Sequence, residues 1–281
     1  MEVARLLKMI YFSKDASLIY SCYYLLIQYL PTTNNNSEML SIFYKEINSF
    51  FSSLIGYIVI GVFLLLTGLM LWVFPDYSLL EYKYASLDQL FEIAPAIFMF
   101  LIPAITMRSF AEEIQSGTIE LLVTRPLRDW EIVVGKFLAC WLLVLFALLP
   151  TLLYYYTIHE LGDPKGNMDS GAILGSYIGL FLLGGVFVAI GLFASSLTSN
   201  QIVSFLLAVF LCFVFYWGFD FISRLPIFLG KTDDIVQMIG IDHHYISISR
   251  GLVEVRDVVY FCSLIGVFLM GSQVALESRK W

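Results

Sequence analysis

From Ser170 to Phe219 the chain runs for fifty residues without one charged side chain. About 20 apolar residues in a helix cross the hydrocarbon core of a bilayer, so this stretch is too long for one span and must fold back on itself. The polar cluster Ser195, Ser196, Thr198, Ser199, Asn200 and Gln201 marks the hairpin. Four further stretches have span length: Leu54 to Phe74, Leu87 to Met107, Phe137 to Ile158, and Val258 to Leu276 between Asp257 and Glu277. With no water to satisfy backbone polar groups in lipid, each must be helical. The expected fold is an all-α polytopic membrane protein with six transmembrane helices. An even count leaves both ends of the spanning core on one side.

Composition points the same way. The chain is 59% hydrophobic and 14% charged, with a mean hydropathy of +0.81, whereas a soluble domain carries about 25% charged residues. That apolar surplus excludes a soluble enzyme and a disordered chain. Sixteen Lys+Arg against 23 Asp+Glu give a net charge of −7, which argues against a nucleic-acid partner. Cys22, Cys140, Cys212 and Cys262 lie far apart in apolar runs and read as core or lipid-facing thiols.

Lys and Arg near span ends orient a membrane protein. Lys45, Arg108, Arg125, Arg128, Lys136, Arg279 and Lys280 fall on one side, and Lys83, Lys165, Arg224, Lys231, Arg250 and Arg256 on the other. The first set sits closer to the helix ends, which places that side, and both ends of the 39–281 core, in the cytoplasm. Residues 1–38 do not fit the plan: Ser17 to Leu30 is too short to span comfortably and is followed by a polar linker. They are read as an N-terminal extension, with Met39 as the functional start. After Met39, Leu40, Phe43, Ile47, Phe50 and Phe51 share one face of an expected amphipathic helix lying in the interface.

Between spans two and three lies Arg108-SFAEEIQSGTIELLVTRPLRDWEIVVG-Lys136, too long for a mere connector. Ser109 with Glu112 has the spacing of a capping box, Gly117 breaks the helix, Thr118 to Val123 forms a short amphipathic piece ended by Arg125-Pro126, and Asp129 can cap the next helix. Two or three short surface helices are expected.

The string EEIQSGTIELLVTRPLRDWEIVVGK closely resembles the cytoplasmic signature of ABC-2 type transporter permeases. The segment His244 to Tyr260 is similar to the block before the last span of that family. With FYKEINSFFSSLIGYIV, these segments most resemble the gliding motility-associated permease subunit of Bacteroidetes. The resemblance covers residues 39–281. It implies a permease with no nucleotide site or other cofactor and no enzymatic activity of its own, paired with a second permease chain, identical or related, and with a separate ABC ATPase in the inner membrane. It also implies ATPase-coupling roles for Glu112, Glu113, Gly117, Thr118, Glu120 and Pro126, on short cytoplasmic coupling helices. A non-transporting scaffold of a motility complex is the alternative.

The residues agree with an external energy source. Ion-coupled carriers need ionisable groups near mid-bilayer. The interiors of spans one, three, four, five and six offer none, and Glu92 in span two is expected to snorkel to the interface. Leu225-PIFLG-Lys231-Thr232 lacks the first glycine of a phosphate-binding loop. Asp242, His243 and His244 could supply metal ligands, but three consecutive residues cannot converge on one ion, and a solvated turn is expected. Gly171, Gly175 and Gly179 recur every fourth residue, the spacing for close helix packing within the chain or between subunits. Pro95, Pro103 and Pro150 are expected to kink their helices. Residues 221–256 are expected to form short helices dipping back toward the membrane.

Overall fold

The computed structural model describes residues 35–75, 78–79, 86–118, 129–162, 165–225 and 233–278. They belong almost entirely to one compact unit, Met39–Trp281. Among the described residues every regular element is a helix, and six helices are long and apolar enough to cross a membrane.

Helix α1 (Asn35–Ser52) passes into α2 (Leu54–Trp72) through the single extended residue Ser53. The corner is so tight that a Cβ on Gly56 would stand 2.8 Å from the Phe50 carbonyl oxygen. Helix α1 begins before Met39 rather than after it. Its protein-facing side follows the expected stripe only in part. Ile42, Glu46 and Phe50 turn toward the bundle, whereas Leu40 is exposed. An interfacial helix has two apolar surroundings, lipid and protein, and periodicity alone does not distinguish them.

The second span is α3 (Asp88–Thr106), with Pro95 and Pro103 inside it, followed after a short break by α4 (Ala111–Gln115). The third comprises α5 (Asp129–Leu148), a 3-10 turn at Leu149–Thr151, and α6 (Leu152–Leu161). Pro150 lacks the N–H that would continue the ladder, which explains the tightened turn. Helix α7 (Ser170–Leu197) is the central post, most of its residues buried against α3, α5 and later elements. Asp169 caps it, its Oδ1 accepting from the Gly171 and Ala172 amides at 3.0 and 3.1 Å. Asn200 caps α8 (Gln201–Phe213) in the same way. The hairpin is therefore only Thr198 to Asn200, while Ser195 and Ser196 stay helical and fully buried. The fifth span continues through a π-helical turn at Val214–Gly218 into α9 (Phe219–Ser223). Helices α10 (Asp233–Ile239) and α11 (Ile241–Ser249) fold back over this end, and α12 (Val255–Glu277) is the last span.

The spans α8–α9 and α12 are buried along a minority of their residues, leaving Leu206, Phe210, Val259 and Val267 exposed. Those side chains face outward where lipid is the solvent. Cys140 and Cys212 are buried and Cys262 is exposed, all three as free thiols. Cys22 lies outside the described residues.

Candidate functional site

Lys136 does not end a loop. It is the eighth residue of α5 and only 2% exposed. The loop's helix turn, the interfacial helix and the third span all meet at its ammonium. Nζ donates to Glu46 Oε1 of α1 at 2.9 Å, to Glu113 Oε1 of α4 at 2.9 Å and to the Ser109 carbonyl at 2.8 Å. Three donors thus meet three acceptors. The Phe110 ring covers the cation at 5.2 Å from its centroid. Gly135 lets α1 lie against α5 here, because a Cβ would stand 3.1–3.2 Å from Ile42 and the Met39 carbonyl.

Around this centre is a cleft of about 390 Å³ lined by Lys45, Ser49, Arg108, Glu112, Ser116 and Thr118 among others. Lys45 reaches Glu113 at 3.4 Å, and Arg108 clasps both carboxylate oxygens of Glu112 at 2.9 and 3.3 Å. Glu113 Oε2 is buried without a hydrogen-bond partner. The Glu113 side chain is only 14% exposed, so it faces the bundle rather than an outside partner. Glu112, 49% exposed, and the exposed Ser116, Gly117 and Thr118 are the residues presented outward. Glu120 and Pro126 lie outside the described residues, as do the amphipathic piece beyond Thr118 and the segment 226–232.

Gly117 has φ +69°, a left-handed conformation that ends α4, and open space surrounds the position of a Cβ. Its requirement for glycine is conformational rather than steric. The expected capping box does not form. Phe110 is the N-cap of α4 without a side-chain bond, Ser109 Oγ lies 3.8 Å from Cys140 Sγ, and Glu112 is engaged by Arg108. The cap comes instead from α7. Ser195 Oγ accepts from the Phe110 and Ala111 amides, each at 3.0 Å, and donates to the Met107 carbonyl at 3.0 Å. One hydroxyl from 85 residues away caps the turn. Ser195→Ala leaves two buried amides and a carbonyl unsatisfied, so we expect a loss of about 1–3 kcal/mol, read as a lower unfolding temperature of the purified chain.

A buried ion-pair junction thus lies beneath the exposed Glu112 and Ser116 to Thr118, on a bundle with six helices long and apolar enough to cross a membrane. The model of ABC-2 family transporter proteins matches residues 21–231, about three quarters of the chain. The chain belongs to this family. It is accordingly a multi-pass membrane protein and a permease of an ABC transporter, a family that works with an ABC ATPase. No curated protein matches the chain. The match begins upstream of Met39 and ends before α10.

In this ABC-2 permease the glycine repeat of α7 packs within the chain. A Cβ on Gly179 would fall 2.1 Å from Ile248 Cγ2, and one on Gly175 would stand 2.7 Å from the Gly251 carbonyl oxygen. At Gly171 the nearest atom is Asp169 Oδ1 at 3.3 Å, part of the cap. The segment around Asp242 to His244 is no solvated turn. It belongs to α11, and His244 is buried against Asp257, which is also fully buried inside α12 rather than marking a polar boundary. The spacing from His244 to Asp257 crosses a loop, so local pattern could not pair them. Nearby, burial and then the Asp220 carboxylate push the Asp242 carboxyl above its usual range. Among the described residues no group of three or more His, Cys, Asp or Glu side chains is placed to hold a metal ion.

Proposed function

We propose that the Lys136 junction is where movement of a separate ATPase enters the permease. The observation that carries this reading is the single buried ammonium shared by α1, α4 and α5, directly beneath the exposed Glu112, Gly117 and Thr118. An ATPase gripping the exposed loop pulls on α4, and α4 cannot move without α5 and α1. Hydrolysis of ATP takes place on that partner, and this chain performs no catalysis. A second permease chain, identical or related, completes the pathway in the bacterial inner membrane, with the junction and both ends of the 39–281 core in the cytoplasm. The resemblance of FYKEINSFFSSLIGYIV and of His244 to Tyr260 to gliding motility permeases supports a role in that process.

Burial decides which loop substitutions can test this. Glu113→Lys would set a second ammonium beside Lys136 and damage the fold itself, whereas Glu112 and Gly117 can be altered at the surface. Reversing a charge that makes a charge-assisted hydrogen bond costs about 1.5–3 kcal/mol, about tenfold or more in affinity. Glu112→Lys and Gly117→Val are expected to leave insertion and abundance normal while reducing ATPase co-purification at least about tenfold. Lys165→Ala, at the opposite end of the bundle, should leave it unchanged. Full ATPase coupling in both loop variants would make the loop an ordinary connector and end this reading.

A further inference from the structure

At the end of the bundle opposite Lys136, both ring nitrogens of His244 face acceptors. Nδ1 lies 2.7 Å from Asp257 Oδ1 and Nε2 lies 3.0 Å from the Met238 backbone carbonyl. A carbonyl only accepts, so Nε2 must carry a proton. The short contact to the carboxylate needs a second proton, whether it sits on nitrogen or on oxygen. The closed pair therefore holds one proton more than a neutral imidazole beside a free carboxylate. Remove it, and one contact becomes lone pair against lone pair. Either tautomer leaves the ring with an acceptor facing an acceptor, at Asp257 or at Met238. The side chains are 7% and 1% exposed, so water cannot take over the lost bond.

Three elements depend on this one ring. His244 belongs to α11, Met238 to α10 and Asp257 to the first turn of α12, where the helix dipole favours its negative charge. Tyr260 of α12 stacks on the imidazole at 3.9 Å and donates its hydroxyl to the Ile239 carbonyl of α10. The other charged and titratable groups are turned elsewhere or exposed. Arg256 approaches Asp257 Oδ1 at 3.7 Å but is 61% exposed, and the His243 ring stands edge-on at 5.4 Å. Asp242 interacts with Tyr216 and Asp220, Arg224 pairs with Asp220, and Tyr245 donates to the Phe91 carbonyl of α3. Asp257 Oδ2 is buried with no hydrogen-bond partner, so the carboxylate has little besides the imidazole to hold it.

We propose that His244 and Asp257 form a proton-dependent latch that pins α10 and α11 to the head of α12, closed when the shared proton is present and released as pH rises. The latch stands on the geometry of α10, α11 and α12 and is independent of how an ATPase engages the other end. The closed form holds one extra proton, so opening grows as pH rises, by at most about tenfold per pH unit.

Hydrogen exchange followed by mass spectrometry on the intact chain in lipid nanodiscs tests this, with rates corrected for intrinsic pH dependence and α7 as internal reference. In the unaltered protein, amides of residues 233–249 should lose protection progressively as pH is raised, while α7 stays constant. Asp257→Asn is the decisive variant. Its amide can donate to Nδ1 while Nε2–H still donates to Met238, so the latch closes without the extra proton and the segment should stay protected at every pH. His244→Phe should leave the segment open throughout, and if that variant does not fold, Asp257→Asn decides alone. A flat profile in the unaltered protein, an undiminished pH slope in Asp257→Asn, or full protection in His244→Phe would each overturn the latch.

Discussion

Replacing Lys136 with methionine is expected to cost about 3–5 kcal/mol of stability, the usual penalty for breaking a buried ion pair from one side. Methionine nearly fills the space, so the loss is electrostatic. Glu46 and Glu113 would face each other across the junction with no cation between them, and the Ser109 carbonyl would lose its donor. Glu113 already has one buried oxygen without a partner, which leaves little compensation in reserve. By contrast, Lys165 makes an equally short 2.9 Å pair with Glu160 but is 73% exposed, and Lys165→Met should change stability by no more than about 1 kcal/mol. Thermal unfolding of the detergent-purified variants separates the two. A triple variant, Lys136→Met with Glu46→Gln and Glu113→Gln, should regain most of the loss, because a buried ion set replaced as a whole costs little. If Lys136→Met unfolds with the unaltered protein, the junction is not a structural keystone.

Gly251→Val is expected to prevent stable folding. Gly251 has φ +84°, which costs a side-chain-bearing residue about 1–2 kcal/mol. The larger effect is steric. A Cβ there would fall 2.3 Å from Ala172 Cα and 2.6 Å from the Ala172 carbonyl oxygen, backbone atoms that no rotamer change can move. The turn after α11 would have to lift from the start of α7, exposing Ile248, with overpacking of this kind costing about 3 kcal/mol or more. Gly117→Val meets the same conformational cost but no neighbouring atom, so its abundance should stay near normal. Measuring the membrane-inserted amount and unfolding temperature of both variants distinguishes clash from backbone strain. Equal losses would show that backbone conformation alone governs both positions.

The break at Gly117 was legible because its signal is local. Gly117 sits between Ser116 and Thr118 after a helical run, and a glycine at such a break commonly takes the left-handed conformation that it adopts here. Lys136 was misplaced for a reason rooted in the same method. Charge next to an apolar run reads as a boundary, and nothing within a few residues reveals two carboxylates waiting on other helices. His244 was read as solvated because its partner Asp257 lies across a loop, and the Ser109–Glu112 capping box fails because Cys140 of α5 and the neighbouring Arg108 engage the two side chains.

The number of spanning helices, the hairpin near Asn200 and the helical class follow from the sequence alone. Each depends on the transfer of a contiguous segment between water and lipid, a sum over neighbouring residues that tertiary packing barely alters. Which polar groups those helices bury was decided only in three dimensions. Lys136 meets Glu46 across 90 residues and Ser195 caps a turn 85 residues away, because in a bilayer a polar group left unpaired is so costly that helices settle where such groups find one another.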